Sequence, residues 1–335
     1  MVMIEQESVM SKEVFWVGID VGSKEVWASV TGLKPRPFAH SASGIKQLQS
    51  WLKERSLECP VRFCLEGTGV YSVSVASLLM RVRGTSVSIV NPAQIKAFAN
   101  AQLRRCKTDR LDAEVIRQFA EANHPPAWEP PTKSQRQLYE LVQLRDQICS
   151  EIRQWENRRH SRRFLEDVPK LVVQTQQSLL RSLKRQLAKV EAAIKAFVAQ
   201  DANMAQQVAL LTTIPGIAQQ SAVQLIAYGQ QWLTHKTAKA LIAHSGLAPH
   251  PRQSGTSLNS RGSLDKRGNQ RIRKALYMPT VVAIQHNPII KDFYSRLITR
   301  GKPKMVAMIA AMKKLILIVR AVLINQKAFN PKPLT

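Results

Sequence analysis

Short runs of apolar, β-branched residues alternate with amphipathic stretches in the first third of the chain. Residues 14–30, VFWVGIDVGSKEVWASV, place two such runs on either side of the polar turn 21–24, a pattern that predicts a β-hairpin. Two further strands are predicted in VRFCLEG and TSVSIVNP, with helical stretches between and after them. Strands separated by helices indicate an α/β domain with a mixed sheet over residues 13–123.

Helical periodicity dominates the chain after the proline-rich stretch HPPAWEPPTK, which predicts a linker over residues 124–133. In residues 134–204, two heptad-like apolar stripes flank Pro169, which predicts two long antiparallel helices with a break near that proline. Two interpretations remain open: a projecting arm or dimerisation element, and a helical core of the domain itself. The stripes are formed by Leu138, Leu141, Ile148, Ile152 and Trp155, and by Leu180, Leu183, Leu187, Val190, Ile194 and Phe197.

A mostly helical domain is predicted over residues 205–330. Its stretch LLTTIPGIAQQSAVQLIAYG has Pro215 and Gly216 between two apolar helical runs and resembles a helix-hairpin-helix, in which backbone N–H groups at a helix start hold a phosphate. A purely structural turn is the alternative. Residues 305–324 are strongly apolar, but two lysines and an arginine interrupt the run, so the sequence favours a buried helix over a membrane span.

The charge balance indicates a polyanionic partner. The chain has 49 Lys and Arg against 23 Asp and Glu, a formal net charge of +26 and a pI near 10.4. The basic residues are dispersed over several segments, which favours nucleic acid over an anionic membrane surface. A solvated face is the alternative for each basic run. The candidate nucleic-acid contacts are Arg158, Arg159, Arg252, Arg261, Lys266, Arg267, Arg271, Arg273 and Lys274.

The location of the protein is predicted from its cysteines and from its first residues. The four cysteines form no CxxC pair and no metal-ligand spacing, which is typical of reduced thiols in a cytosolic protein. The opening MVMIEQESVMSKE is polar and carries acids, unlike a secretory signal peptide. We therefore expect a cytoplasmic, nucleoid-associated protein without a membrane partner.

Four acidic residues stand out by their position. Asp20 lies in the middle of an apolar strand, where a buried carboxylate costs several kcal/mol unless something compensates it. Glu66 ends a later strand, and Asp109 and Asp112 are three residues apart on one face of a helix start. Taken one at a time, each acid also has a structural explanation, as a turn cap, a solvated strand end or a helix N-cap.

Taken together, the four acids match the pattern of an RNase H-like nuclease core, in which carboxylates converge above the sheet to hold divalent metal. A pair of carboxylates at ~4 Å repels by about 4 kcal/mol at an effective dielectric constant of 20, so such a cluster needs protons or a cation. Mg²⁺ suits oxygen ligands with room for water and phosphate, and two such ions activate attack on a phosphodiester. The sequence therefore predicts that Mg²⁺ compensates Asp20.

Several motifs resemble those of one known family. GIDVGSKEVWASV, LEGTGVYS, KTDRLDAEVIRQFA, IPGIAQQSA, SGLAPHPRQSGTS and KRGNQRIRKALY are similar, in the same order, to the DEDD transposases of the insertion sequence 110 family. The resemblance implies a RuvC-like N-terminal domain, a helical arm and a C-terminal transposase domain with a nucleophilic serine. The acidic tetrad of the family falls on Asp20, Glu66, Asp109 and Asp112. The serine falls in QSGTS, where we prefer Ser254 to Ser257.

The resemblance also implies partners and an activity. Members of the family use an element-encoded bridge RNA that base-pairs with donor and target DNA, and they work as dimers or tetramers with composite sites. We therefore expect an RNA-guided DNA recombinase that forms a covalent serine–DNA intermediate. A hydrolytic, structure-specific endonuclease using the same acids is the first alternative. A nucleic-acid-binding scaffold with purely structural acids is the second.

Overall fold

The computed structural model describes residues 15–54, 61–82, 84–103, 108–229, 237–254, 258–264 and 268–331. The chain divides into two compact units, Met1–Pro130 and Pro131–Thr335. The division falls inside the proline-rich stretch 124–133. Within the described residues, no helix has both the length and the apolar character that crossing a bilayer requires.

The first unit is built on a five-stranded mixed sheet with the strand order β3-β2-β1-β4-β5. The first three strands are antiparallel, and β4 and β5 run parallel to β1. The predicted mixed sheet is confirmed, and the hairpin turn is closed by a hydrogen bond from the Gly22 N–H to the Glu25 carbonyl (2.9 Å). The elements are β1 (Phe15–Val21), β2 (Glu25–Ser29), β3 (Arg36–Ala39), α1 (Ala42–Lys53), β4 (Val61–Glu66), α2 (Val70–Leu79), β5 (Ser86–Val90), α3 (Pro92–Ala101) and α4 (Asp109–Asn123).

The alternation of side chains along β1 separates the two faces of this sheet. Val17, Ile19 and Val21 enter the larger apolar cluster, which also contains residues of α1 and α2. Trp16 joins a smaller cluster with residues of α3 and α4. Because side chains two residues apart share a face, Asp20 lies on the side of Trp16, facing the helices that carry the other predicted acids.

Helix α4 approaches β1 closely because residue 18 is a glycine. A Cβ atom on Gly18 would overlap the carbonyl oxygen of Ala113 and the backbone nitrogen of Arg117. The helix begins at an N-cap, Thr108, whose hydroxyl accepts a hydrogen bond from the Leu111 N–H (3.3 Å). Gly18 and Thr108 together fix where the first turn of α4 lies against the sheet.

The second unit is mainly helical and also contains a two-stranded sheet. The two long helices predicted around Pro169 are confirmed, and the apolar stretch 305–324 forms a packed helix with eight buried residues. The elements are α5 (Lys133–Arg162), α6 (Lys170–Gln200), α7 (Ala202–Thr212), α8 (Gln219–Tyr228), α9 (Ala238–His244), β6 (Pro249–Ser254), β7 (Leu258–Leu264), α10 (Gln270–His286), α11 (Pro288–Thr299) and α12 (Lys304–Asn325).

Helices α5 and α6 form an antiparallel hairpin whose two ends pack differently. Near its base, Leu138 and Ile194 belong to the main apolar cluster of the second unit. Farther out, Ile148, Ile152 and Leu180 form a separate small cluster between the two helices alone. One end of the hairpin is therefore part of the helical core, and at the other end the two helices pack on each other. A role as an arm or dimerisation element stays a prediction.

The turn between α7 and α8 is packed against another helix. Gly216 has a φ of 106°, and a Cβ atom there would lie 2.7 Å from the carbonyl oxygen of Pro279 in α10. The neighbouring Ile214 and Ile217 are buried in the main cluster. The glycine is thus explained by helix packing, while a phosphate contact at the start of α8 stays a prediction.

Candidate active site

Two of the four predicted acids lie at the carboxyl ends of neighbouring parallel strands. Ile19 of β1 pairs with Leu65 of β4, so Asp20 and Glu66 follow at adjacent positions. Glu66 also alternates with the buried Cys64, which belongs to the α3/α4 cluster, so it shares the face of Asp20. The ends of parallel strands meet at one sheet edge, which explains how residues 46 positions apart come together.

The other two acids lie in the first turn of α4. Asp109 directly follows the N-cap Thr108 and Asp112 comes three residues later, both in the first turn, where the helix dipole favours negative charge. Asp109 is exposed, whereas Asp112 is half-buried on the side that faces the sheet. The close approach of α4 to β1 at Gly18 brings this turn toward Asp20.

The electrostatics of Asp20 reflect this convergence. The pKa of the Asp20 carboxyl is raised from 3.8 to about 6, chiefly by burial and then by the negative charges of Asp112, Asp109 and Glu66 in that order. A hydrogen bond with the backbone of Val21 lowers the pKa but only partly offsets these effects. All three of the other predicted acids therefore act on Asp20 through space.

The acids are within electrostatic reach of one another but have not closed around a common point. Among the residues that the structure describes, no three His, Cys, Asp or Glu side chains are gathered closely enough to hold a metal ion. The donor set itself, carboxylate oxygens around a half-buried acid with a raised pKa, suits a hard divalent cation such as Mg²⁺.

The predicted serine stretch has a regular backbone that its polar sequence did not reveal. Residues Pro249–Ser254 and Leu258–Leu264 pair as an antiparallel hairpin, in which Ser254 is opposite Leu258. Ser254 is the last residue of β6, and Arg252 is paired with Ser260. Ser257 lies outside the described residues.

The predicted nucleic-acid contacts differ in their surroundings. Arg158, Arg159 and Lys274 are exposed, although the Arg158 guanidinium lies over the Trp155 ring at 4.7 Å. Lys266 and Arg267 lie outside the described residues. The backbone of Arg261 lies within strand β7.

Arg271 and Arg273 are engaged inside the second unit. The Arg271 guanidinium lies over the rings of Tyr139 and Tyr228, at 5.2 and 5.7 Å, and donates a hydrogen bond to Gln143 (3.1 Å). Arg273 donates to the Gly268 carbonyl (3.0 Å). These contacts tie α10 to α5 and α8, and a nucleic-acid role for the two arginines stays a prediction.

Sequence reasoning did not single out Trp27, which pairs with Asp20 across the first hairpin. The signal was available in the hairpin pattern, because residues directly opposite in an antiparallel pair share a face. Trp27 is half-buried and borders the same side of the sheet as the acids.

Two family models match the chain, one after the other. A model described as a transposase, of the DEDD type of IS110, matches residues 17–168 and includes all four acids. A second model, described as the transposase IS116/IS110/IS902 family, matches residues 208–295 and includes Ser254. The chain belongs to the IS110 family of DEDD transposases. An IS110-family transposase is an enzyme of the transposase and DNA recombinase class, and DNA is its substrate.

Relatives of this IS110-family transposase include pilin gene-inverting proteins and insertion-element proteins. It is 26% identical over 328 residues to the pilin gene-inverting proteins of Moraxella bovis and Moraxella lacunata, a match that covers 95% of the chain and 98% of each relative. It is 27% identical over 153 residues to the insertion element IS110 uncharacterized 43.6 kDa protein of Streptomyces coelicolor, a match that covers 46% of the chain and 36% of that relative.

Proposed function

We propose that this transposase is an RNA-guided DNA recombinase that cuts and rejoins donor and target DNA through a covalent serine–DNA intermediate, assisted by a Mg²⁺-bound acidic tetrad. The observation that carries the proposal is the environment of Asp20. Its carboxyl has a pKa of about 6 because it is buried beside three other acids, at a sheet edge within the segment that matches the DEDD model. Such a shift is typical of carboxylates that bind a cation or take part in catalysis.

The four acids Asp20, Glu66, Asp109 and Asp112 are proposed to hold the Mg²⁺. When bound, Mg²⁺ polarises a phosphodiester and stabilises the charge of the leaving oxygen. The chain supplies the positions: β1 and β4 present two carboxylates at one edge, and the first turn of α4 presents the other two. Because the pKa of Asp20 is about 6, this residue is mostly ionised and ready to bind a cation at pH 7.5.

A RuvC-like identity of the first unit is part of the proposal. It is supported by the strand order β3-β2-β1-β4-β5, with three antiparallel strands followed by two parallel ones, and by acids at the ends of β1 and β4. The domains we propose are a metal-binding domain (13–123), a linker (124–133), a helical arm (134–204) and a transposase domain (205–330). The division of the chain at Pro130 and Pro131 agrees with the position of the linker.

Ser254 is proposed as the nucleophile. Its hydroxyl oxygen bonds to phosphorus, the bond from phosphorus to the leaving DNA oxygen breaks, and that oxygen takes up a proton. The reverse reaction with a different strand end releases the serine and rejoins DNA, so the energy of the phosphodiester is kept and no ATP is needed. Arg252 and Arg261 are proposed to hold the phosphate, and the pairing of Arg252 with Ser260 places their backbones at adjacent positions.

Guide RNA and oligomerisation complete the proposal. A net charge of +26 supplies affinity for nucleic-acid backbones but carries no sequence information. Base pairing by a bridge RNA would supply the sequence specificity, as in other guided systems. We further propose a dimer or tetramer in which the acids of one subunit act with the serine of another.

The decisive experiment traps the covalent intermediate. The protein is incubated with guide RNA, Mg²⁺ and end-labelled donor and target DNA, and the reaction is stopped with denaturant before and after protease treatment. We expect a protease-sensitive protein–DNA adduct that is absent in Ser254→Ala and present in Ser263→Ala, a control in the paired strand. Mass spectrometry of the DNA-linked peptide identifies the attached residue. An adduct that persists in Ser254→Ala contradicts the choice of nucleophile.

Hydrolytic cutting of branched DNA is the second candidate, because an acid cluster that holds Mg²⁺ could activate water on a phosphodiester without a serine. This function needs Mg²⁺ and Asp20 but no serine. Cleavage without any adduct, unchanged in Ser254→Ala and Ser257→Ala and independent of guide RNA, would establish the endonuclease in place of the recombinase.

A further inference from the structure

We propose that Trp27 forms a stacking platform for an unpaired DNA base beside the acid cluster. The inference rests on the proposed function, because it places the base next to the phosphate that enters the cluster. It names a binding residue on β2, a strand that carries none of the four acids.

The position of Trp27 is fixed by the register of the first hairpin. Trp27 is directly opposite Asp20 in the antiparallel pair of β1 and β2. Opposite residues of such a pair have side chains on the same face, separated by about 5 Å between Cβ atoms. The indole therefore adjoins the Asp20 carboxylate.

A cavity of about 610 Å³ opens at this place, which lies in the size range of sites that hold small organic groups. Its walls combine an aromatic ring, one acid of the tetrad and an arginine. The lining residues are Glu25, Trp27, Thr108, Asp109, Arg110 and Leu111. Since Asp109 belongs to both the cavity and the acid cluster, a strand whose phosphate reaches the cluster brings a neighbouring base to the cavity.

The indole ring is restrained and partly exposed to solvent. The Trp27 Nε1–H donates a hydrogen bond to Glu25 Oε1 (3.1 Å), which satisfies the only polar group of the side chain and restrains the ring. Trp27 is half-buried, whereas Trp16 on the same face of the sheet is only 2% exposed. A restrained aromatic face among charged groups suits a nucleobase, which stacks whatever its identity.

Arg110 gives the cavity a second point of recognition. Its exposed guanidinium lines the cavity next to Asp109, where it is available to a phosphate of the stacked nucleotide. Asp109, the acid that lines the cavity, repels a phosphate that binds alone. Stacking of the base on Trp27 and pairing of the phosphate with Arg110 therefore account together for nucleotide binding in the cavity. The DNA strand to be cut is the occupant, because it is the strand that must reach Asp109.

A double-mutant cycle tests the inference with DNA as the probe. Nicked target DNA with an abasic site at each position near the cut is titrated, in Ca²⁺, against wild-type protein and the Trp27→Leu, Trp27→Phe and Trp128→Leu variants. Leucine keeps an apolar side chain in β2 without a stacking face, whereas phenylalanine keeps the stacking face. Trp128 packs against the apolar cluster on the opposite face of the sheet and serves as the control. Circular dichroism verifies that every variant is folded.

We expect wild type to lose about tenfold in affinity at one abasic position, the size of one base–aromatic stack. Trp27→Leu should bind intact DNA about tenfold more weakly and lose nothing further at that position, whereas Trp27→Phe and Trp128→Leu should respond as wild type does. A Trp27→Leu variant that still discriminates the abasic site in the DNA would overturn the inference.

The outcome for stacking is separable from the outcome for the proposed function. Binding in Ca²⁺ reports the contact between Trp27 and the base whether or not strands are cut. The wild-type protein could form no covalent adduct in Mg²⁺ and still lose affinity at one abasic position in a way that depends on Trp27. That result would contradict the recombinase mechanism and support the stacking platform.

Discussion

At the scale of single residues, the charged form of Asp20 at the proposed active site destabilises the folded state. Its pKa is raised from 3.8 to about 6, so the folded state binds more protons than the unfolded state between roughly pH 4 and pH 6. Stability is therefore expected to fall as the pH rises through this window, and the full penalty is present above pH 6. At neutral pH, Asp20 is therefore mostly ionised, which is the form that destabilises the folded state.

The first prediction concerns Asp20→Asn, which removes the charge and nearly keeps the shape. We expect the free energy of unfolding, measured with urea at pH 7.5, to be roughly 1–2 kcal/mol higher in the variant. This value is smaller than the free energy that corresponds to the full pKa shift because Asp20 is partly exposed to solvent. At pH 4 the difference should vanish, and DNA cutting should be lost. A variant less stable than wild type at pH 7.5 without metal would contradict the assigned electrostatics.

The sequence revealed the acids more readily than their neighbours. Asp20 was conspicuous because a charge interrupts a run of apolar residues, and Glu66 because it ends a similar run. Trp27 gave no such signal, since an aromatic residue in a strand is ordinary. The engagement of Arg271 with two tyrosines was equally hidden, because nothing in a basic run distinguishes an arginine that packs on rings from one that faces solvent.

At the scale of elements, the packing of α4 on β1 determines where two of the four acids lie. The contact depends on Gly18, where any side chain would overlap the backbone of α4 one turn after Asp112. Backbone atoms cannot rotate away as a side chain does, so the helix itself must move.

The second prediction follows from this contact. Gly18→Ala should displace α4, destabilise the first unit by about 1–3 kcal/mol and reduce Mg²⁺-dependent DNA cutting strongly. Gly67→Ala is the matched control, because it also adjoins an acid of the tetrad but its Cβ atom would meet nothing closer than 3.2 Å. Urea unfolding and cutting rates are measured in parallel. Equal, small effects of the two substitutions would show that the close approach of α4 is not required.

Elements with strong apolar patterns were predicted, and polar ones were missed. Strands β1, β4 and β5 contain β-branched and other apolar residues that are largely buried, so the apolar pattern of the sequence predicts them. In β3 only Phe38 is buried, so pairing with β2 rather than burial defines this strand. The sequences of β6 and β7 are rich in serine and arginine and carry no alternating apolar pattern. The α5/α6 hairpin shows another limit of prediction from sequence. Residues of one apolar stripe pack in the main cluster near the base and only between the two helices farther out, and the stripe itself does not distinguish these two environments.

At the scale of the whole molecule, the chain combines two units of different architecture with one large positive charge. The acids lie in the first unit and the serine in the second. One family model matches residues 17–168, most of the first unit and the start of the second, and the other matches residues 208–295 within the second unit. The mixed sheet and the helical second half followed from periodicity. The activity class required the match to the IS110 transposases, because no local pattern states that a nuclease-like acid cluster serves recombination.

Titration of Mg²⁺ into the protein by calorimetry tests the central claim, that four carboxylates form one metal site, most directly. At pH 7.5 we expect wild type to bind the cation, and at pH 5 to bind it more weakly with release of a proton, because Asp20 is then mostly protonated. Asp20→Asn should bind weakly at both pH values. Equal Mg²⁺ affinity in wild type and Asp20→Asn, with no dependence on pH, would contradict the account.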